Sequence, residues 1–240
     1  MAQVYAGTSG WAYPSWKPDF YPEKLAQKKF LGFYTTKLNT VEVNFTFRQL
    51  VKETTIQNWL NDSPPHFRFG VKAHQVITHI KRLKGTEEFV PRFLATIEPL
   101  AAAGKLGPVL FQLPPNLKSD PALLKDFLAV LPRSVPAAFE FRHESWFNDA
   151  TWDLLKSSNV ALCVAETETR TTPDIVTGKF AYYRFRKPTY TGEERRAMVD
   201  RIRQHIAEGR DAFAYFKHEE TPEGALYAVD LLREISGAAS

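Results

Sequence analysis

Short apolar segments alternate with longer segments of helical periodicity along almost the whole chain. Each apolar segment is only a few residues long and rich in β-branched or aromatic side chains, which is typical of a buried strand. Eight segments are predicted as strands: residues 4–8, 40–44, 67–72, 109–112, 137–141, 161–165, 180–184 and 212–216. Eight such strand and helix units predict an α/β fold, a single (β/α)8 TIM-type barrel, with a doubly wound open sheet as the alternative.

Two of the predicted helices begin at a proline. The pair Asp120-Pro121 precedes a helix predicted over residues 122–130, with the aspartate as N-cap and the proline in the first turn. The pair Thr221-Pro222 is predicted to start the last helix, which extends to Ile235, in the same way.

The helix before the last one begins with a capping box. The hydroxyl of Thr191 and the carboxylate of Glu194 are spaced to satisfy free backbone donors, and Gly209 follows the end of the helix. Residues 166–177, in contrast, show almost no periodicity. The sixth crossover is therefore predicted to be short or irregular.

The chain is long enough for one barrel and contains no low-complexity linker, so we expect a single domain over residues 1–240. Its one thiol, Cys163, lies in an apolar segment, which indicates a buried cysteine and a reducing cytoplasm. No leader-like segment and no apolar stretch long enough for a membrane span are present. We expect a cytoplasmic protein away from the membrane, and nothing indicates an obligate protein partner.

Polar side chains recur at two-residue spacing where the predicted strands end. They are Glu42, Asn44, Lys72, His74, Gln112, Glu140, Arg142, Arg184, Arg186, Tyr215 and Lys217. Because all strands of such a barrel point the same way, these side chains converge on the C-terminal mouth, where barrel enzymes carry their active sites. Burying an unpaired charge costs several kcal/mol. A functional site therefore explains these residues better than a barrel rim without a function.

The predicted site contains more cations than carboxylates. It has two carboxylates, Glu42 and Glu140, and five cations: Lys72, Arg142, Arg184, Arg186 and Lys217. The net charge of +4 is mildly basic, and arginine forks match the geometry of phosphate or carboxylate. This excess of positive charge favours an anionic ligand, either a small molecule or a nucleic-acid fragment.

Six blocks of the sequence carry a resemblance to a known family. They read GTSGWAYPSWKPDFYP, NTVEVNFTF, FRFGVKAHQVITH, GPVLFQLPP, AFEFRHESW and GALYAVDLL, in this order over nearly the whole chain. In these blocks the chain resembles the YecE-like family, domain-of-unknown-function family number 72. The resemblance implies a TIM-type barrel in a cytoplasmic prokaryotic protein, and it brings no established reaction.

The resemblance also marks positions that overlap the strand-end set. The matching positions are Gly7, Ser9, Gly10, Trp11, Glu42, Asn44, Lys72, His79, Gln112, Pro114, Glu140, Arg142, His143 and Trp146. Two segments depart from the family pattern. Residues 215–220 lack the asparagines of a YFNN-like turn, and Arg186 stands where relatives often carry the histidine of an Arg-x-His-Gly segment. Arginine keeps a cation there but cannot act as a neutral base near pH 7.

The leading hypothesis is an enzyme that acts on a phosphate-containing substrate, with phosphodiester or nucleic-acid hydrolysis as one form. Glu140 is the first candidate for the general acid or base and Glu42 the second. Lys72, Arg142 and Arg184 are expected to hold the anion and to stabilise charge in the transition state.

Three alternatives remain open. A binding module for nucleic acid or a small anion would use Trp11, Tyr13, Trp16 and Trp146 as a stacking wall. A metal-dependent hydrolase or isomerase would use His74, His79, His143 or His218 with Glu42, Glu140 or Glu166, although no metal-binding spacing is present and we expect no cofactor. A desolvated Lys72 could also form a Schiff base.

Overall fold

The computed structural model describes residues 2–169, 171–217 and 220–237. Within these ranges the chain forms parallel strands that alternate with helices. The strands are β1 (Val4–Thr8), β2 (Thr40–Val43), β3 (Arg68–Lys72), β4 (Leu106–Gln112), β5 (Ala137–Glu140), β6 (Ala161–Glu166), β7 (Phe180–Phe185) and β8 (Asp211–Phe216). The helices are α1 (Phe30–Tyr34), α2 (Glu53–Asn61), α3 (Phe89–Ala102), α4 (Pro121–Val130), α5 (Asp149–Ser158), α6 (Gly192–Ala207) and α7 (Glu223–Ile235).

The eight strands form one sheet in the order β1-β8-β7-β6-β5-β4-β3-β2, with every pair parallel. The sheet curls until β1 meets β2, where a bridge between Ser9 and Glu42 nearly closes it. This is the predicted TIM-type barrel, and the open-sheet alternative is wrong.

Side chains fill the seam between β1 and β2. The side chain of Asn39 accepts from the backbone N–H of Ala6 at 2.9 Å and donates to the carbonyl of Val4 at 2.8 Å. The hydroxyl of Tyr34 accepts from the N–H of Thr8 and donates to the carbonyl of Thr40, both at 2.9 Å. These bonds satisfy backbone groups that would otherwise be orphaned at the edge of the sheet.

Gly7 is required at this seam because the two strands approach closely. A Cβ atom at residue 7 would lie 1.9 Å from the carbonyl oxygen of Thr40 and 2.8 Å from the hydroxyl of Tyr34. No side chain fits such a space without moving the backbone. The closure of the barrel, and with it the position of Ser9 and Glu42, depends on this glycine.

Most of the predicted boundaries agree with the structure. β1 has the predicted ends, β8 begins one residue earlier than predicted, and the side chain of Asp120 caps α4 by accepting from the N–H of Leu123 at 3.0 Å. The capping box of α6 is formed as predicted, and Gly209 takes a left-handed φ of 75° just after that helix.

The strand ends lie within one residue of the predicted ones except at the start of β4, and the cap of the last helix also differs. β4 begins at Leu106, three residues earlier than predicted, because Gly107 and Pro108 interrupt the apolar pattern there. The predicted cap of the last helix is wrong: α7 begins at Glu223, with Pro222 in the N-cap position and no side-chain cap. The sixth crossover has no regular helix in its described residues, as predicted, and only a short bridge joins Glu166 to Thr171.

Aromatic side chains fill the lower part of the barrel. The ring of Tyr5 stacks on Phe213 with centroids 4.5 Å apart, and Tyr182 packs against Tyr215 at 5.2 Å. Cys163 lies buried in the same cluster, and burial raises the pKa of its thiol well above the ordinary value. This layer excludes water beneath the polar side chains at the C-terminal end of the strands.

In the part of the chain that the structure describes, no helix combines the length and the apolar character that crossing a membrane requires.

Candidate functional site

Directly above the aromatic layer lies a layer of polar side chains. Because side chains alternate across a strand, the last inward-facing positions of five strands bring them to one level. They are Glu42 on β2, Lys72 on β3, Gln112 on β4, Glu140 on β5 and Arg184 on β7. The sequence predicted that these residues converge, and the structure brings them together.

Arg184 lies at the centre of this layer and joins two carboxylates from opposite parts of the barrel. Its Nη2 is 2.6 Å from Oε1 of Glu42, and its Nη1 donates to Oε2 of Glu140. The three side chains are almost completely buried. Each guanidinium branch therefore holds one carboxylate in a medium where charge interactions are strong.

Further donors surround the carboxylate of Glu42. Ser9 donates its hydroxyl to Oε1 at 2.8 Å, and Tyr182 donates to Oε2 at 2.7 Å. Asn44 adds a longer contact from Nδ2 to Oε1 at 3.4 Å, and Nη2 of Arg186 lies 3.8 Å from the same oxygen.

The carboxylate of Glu140 is enclosed in a similar way. The amide Nε2 of Gln112 donates to both of its oxygens at 2.9 Å, and Nε of Arg142 donates to Oε1 at 3.0 Å. With Arg184, these contacts satisfy most of the acceptor positions of the carboxylate.

The surrounding cations keep both carboxylates ionised. Burial by itself raises the pKa of Glu42, but Arg184 and Arg186 outweigh it and lower that pKa to about 2. Burial likewise opposes ionisation of Glu140, and the charges of Arg184, Arg186 and Arg142 bring its pKa well below 4.5. Neither carboxylate has a proton to donate near neutral pH, and both are poor bases.

Lys72 is the group in this layer whose pKa lies nearest to neutral pH. Burial and the nearby charge of Arg184 lower its pKa to about 8. Its Nζ donates to Oε1 of Gln112 at 2.9 Å and lies 4.1 Å above the ring centroid of Phe47. The ammonium is thus held in place while it remains able to exchange a proton near pH 8.

Arg186 carries a charge that the protein satisfies only in part. Its Nε and Nη2 are buried without a hydrogen-bond partner among the described residues, and its charge is offset by Glu42, whose Oε1 lies 3.8 Å from Nη2, and by the charge of Glu140. Burial and the like charge of Arg184 lower its pKa from 12.5. An anion in the cavity would satisfy these N–H groups after a shift of the Arg186 side chain, because both atoms are closed to solvent.

These side chains lie at the base of a cavity of about 430 Å³ at the C-terminal mouth. Six cationic side chains line it and no acidic one does, within the described ranges. The lining cations are Arg48, Lys72, Arg142, Arg184, Arg186 and Lys217. The two carboxylates lie beneath and are covered by the arginines, so the cavity presents positive charge to a ligand.

Several predicted site residues lie outside this cavity. Trp11 lines a neighbouring apolar cavity, and His79 lies in a π-helix, Val76–Ile80, with its ring against Phe47 at 4.9 Å. His74 is buried and accepts the N–H of Val76 at 3.1 Å, which is a local structural contact.

Two further predicted residues have structural contacts that replace the expected ones. Trp146 is fully buried, stacks on Phe141 at 4.7 Å and donates its indole N–H to Leu117. It therefore packs in the core and does not belong to a stacking wall. His143 accepts the N–H of Ser145 at 3.2 Å as a helix cap, and it is not among the residues that line the cavity.

Sequence reasoning missed two groups of residues. Tyr182 donates a hydrogen bond to Glu42 from inside the barrel. The sequence gives no sign of this contact, because a tyrosine in an apolar strand is usually an ordinary core residue. The loop after β2 brings Phe45, Phe47, Arg48 and Gln49 to the cavity. The run of aromatic and polar residues at 45–49 directly after a predicted strand end was the signal that could have found this wall.

The described residues contain no cluster of metal ligands of the kind that the metal-dependent alternative requires. Among residues 2–169, 171–217 and 220–237, no three His, Cys, Asp or Glu side chains are grouped to hold a metal ion. Glu42 and Glu140 face arginines, and Glu166 pairs with Lys187 at 3.0 Å. His218, which belonged to that hypothesis, lies outside the described residues.

Fold and site together define a TIM-barrel protein with a cationic cavity at its C-terminal mouth. The profile described as "Protein of unknown function DUF72" matches residues 5–239. The chain belongs to the DUF72 family, in agreement with the resemblance seen in the sequence.

Individual relatives agree with this assignment. The chain is 30% identical over 151 residues to the UPF0759 protein YunF of Bacillus subtilis, covering 60% of this chain and 52% of YunF. It is 30% identical over 146 residues to the UPF0759 protein YecE of Escherichia coli, covering 60% and 50%. The chain thus spans about half the length of the curated relatives it matches. The crystal structure of a DUF72 family protein from Thermotoga maritima superposes with a TM-score of 0.88 at 26% identity, covering 98% of this chain and 99% of that chain.

Replacing Glu140 tests whether the ion pairs stabilise the barrel. In Glu140→Gln, Arg184 keeps only one carboxylate, and we expect the free energy of unfolding at pH 7 to fall by roughly 3 kcal/mol. The folded-state pKa of Glu140 lies below 4.5, so its contribution is present above about pH 4.5 and is lost as the pH falls below that value. The variant should therefore lose less stability than the wild type on acidification.

The measurement is urea unfolding from pH 7 to pH 3, with the exposed Glu144→Gln as the control. The control should stay within about 0.5 kcal/mol of the wild type at pH 7. Equal stability of the two variants would contradict a stabilising role of the pair.

Proposed function

We propose that the protein is an enzyme that acts on a phosphate-containing substrate held in the cationic cavity. The observation that carries this proposal is the largely buried Arg186, whose Nε and Nη2 lack hydrogen-bond partners among the described residues, at the wall of a cavity lined by cations. A group of phosphate charge and geometry satisfies those donors, and a neutral ligand leaves the excess charge uncompensated. Small phosphate esters and the phosphates of a nucleic-acid fragment share this chemistry.

The cations have different tasks in this proposal. Arg184 is occupied by Glu42 and Glu140, so it supports the site without having to contact the ligand. Arg186 and Lys72 are the deeper cations that face the cavity, and they would bind the phosphoryl oxygens. Preorganised donors of this kind stabilise the negative charge that develops in the transition state.

Lys72 takes the acid–base role that the sequence suggested for Glu140. With a pKa of about 8, its ammonium form predominates at pH 7. In ester hydrolysis a water oxygen bonds to phosphorus and the bond from phosphorus to the leaving oxygen breaks. Lys72 donates its proton to that oxygen, the attacking water releases a proton to solvent, and the amine then regains one from solvent. Glu42 and Glu140 act through the arginines that they hold.

A second candidate is a binding module that carries out no reaction. It is favoured by the same ion pairs, because Arg184 occupies both buried carboxylates and leaves few groups for proton transfer. Such a module would bind the same anions through the same cations, and only turnover distinguishes the two functions.

Sulfate binding tests the cationic cavity, since the charge of sulfate does not change near neutral pH. We expect Arg186→Gln to weaken the affinity at least about tenfold, the loss of a charge-assisted bond, in calorimetry at low salt. Arg92→Gln, an exposed position on α3, is the matched control and should bind like the wild type. Wild-type affinity should fall as the pH rises through about 8, because Lys72 loses its charge. Equal affinity of the two variants, or no binding to the wild type, would overturn the anion site.

Turnover of phenyl phosphate and diphenyl phosphate distinguishes the enzyme from the binding module. Lys72→Arg keeps a positive charge but cannot exchange a proton near pH 8, so we expect kcat to fall at least about a hundredfold and KM to change less. Phenol has a pKa of about 10, so proton transfer from the Lys72 ammonium, with its pKa of about 8, to the departing oxygen is favourable. Sulfate binding without release of phenol by the wild type would assign the protein to the binding class.

A further inference from the structure

A second cavity, of about 350 Å³, adjoins the cationic one. The two cavities share Asn44 and Phe45 in their walls, so a single ligand can extend from one into the other. The second cavity is lined mainly by apolar atoms, and four aromatic side chains contribute to it: Trp11, Tyr13, Phe45 and Trp59. We call it the aromatic slot.

The slot is positioned by the same contacts that hold the carboxylates. Gly10 takes a φ of 92°, and a Cβ atom there would lie 2.4 Å from the hydroxyl oxygen of Tyr13. That hydroxyl donates to the carbonyl of Ser9 at 2.9 Å, and the side chain of Ser9 donates to Glu42. The wall of the slot is therefore fixed relative to the polar layer, as a site for two parts of one ligand requires.

The aromatic rings of the slot leave apolar surface uncovered. Phe45 is 49% exposed at the boundary between the cavities, while Trp11 packs edge-on against Trp59 at 5.6 Å. A flat ring is the shape that covers flat aromatic faces best, and nucleobases stack on such faces whatever their identity.

Asn44 marks the boundary with an unsatisfied polar atom. Its Nδ2 points to Glu42, and its Oδ1 is buried without a hydrogen-bond partner among the described residues. A hydroxyl or amino group in the middle of a ligand, between ring and anion, would supply the missing donor after a small shift of the side chain.

We propose that the aromatic slot binds the planar ring of a ligand whose phosphate lies in the cationic cavity. This inference rests on the proposed function and narrows its substrate class to phosphates that carry an aromatic ring. Free nucleotides and simple aryl phosphates share this chemistry.

Four ligands of increasing specificity test the slot by calorimetry: methyl phosphate, octyl phosphate, 1-naphthyl phosphate and adenosine 5′-monophosphate. We expect naphthyl phosphate or the nucleotide to bind at least about tenfold more tightly than methyl phosphate, and more tightly than octyl phosphate. A nucleotide that binds more tightly than naphthyl phosphate identifies a nucleotide as the source of the chemistry, and the reverse order identifies an aryl phosphate.

Variants of α2 localise the effect. Thr55 lines the slot, so Thr55→Trp should fill it and reduce the affinity ratio of naphthyl to methyl phosphate to about 1. Thr54→Trp, at the exposed neighbouring position, is the matched control and should keep the wild-type ratio. Because Phe45 is half-exposed, Phe45→Ala provides a second variant that should lower the ratio without disturbing the core.

Two results overturn the inference. If methyl phosphate binds as tightly as naphthyl phosphate, or octyl phosphate as tightly as the aromatic ligands, the slot does not select rings, and the proposed anion site still stands. If none of the four ligands binds, the proposed function itself is wrong, and with it the proposal that the slot binds the ring of a phosphate ligand.

Discussion

The ion pairs of Arg184 with Glu42 and Glu140 are the interaction on which the rest of the structure depends. Three charges are buried in the middle of a barrel, above an aromatic layer that excludes water, and each is tolerable only because the others are present. The pairs tie β2, β5 and β7 together across the barrel. They also determine which groups remain for chemistry: two carboxylates and one arginine are occupied, while Arg186 and Lys72 face the cavity.

This arrangement explains why the site carries positive charge although it contains two acidic residues. The carboxylates lie beneath and stabilise the arginines, so the charged side chains that line the cavity within the described residues are all cations. The seam between β1 and β2 contributes to the same arrangement, because Ser9 reaches Glu42 only where Gly7 allows the strands to approach. The apolar cavity then begins at Asn44, beside the same carboxylate. Barrel closure, charge and the two cavities are parts of one connected set of contacts.

Much of this could be predicted from the sequence because both strand period and strand direction leave clear patterns. Residues two apart share a face, and parallel strands end at the same mouth, so Glu42, Lys72, Gln112, Glu140 and Arg184 could be grouped before any coordinates existed. The pairing among them could not be predicted, since it depends on distances across the barrel. For this reason the sequence predicted that Glu140 acts as a general acid or base, and that Trp146 forms part of a stacking wall. Tyr182 gave no signal, because a tyrosine within an apolar strand does not reveal where its hydroxyl points.

The most direct test of the central claim is a crystal structure of the protein soaked in tungstate, with the metal located by its anomalous scattering. We expect tungstate within hydrogen-bond distance of the guanidinium of Arg186 and of Nζ of Lys72, with Arg184 still bridging Glu42 and Glu140. An empty cavity, or an Arg184 that has left the carboxylates to bind the anion itself, would contradict that claim.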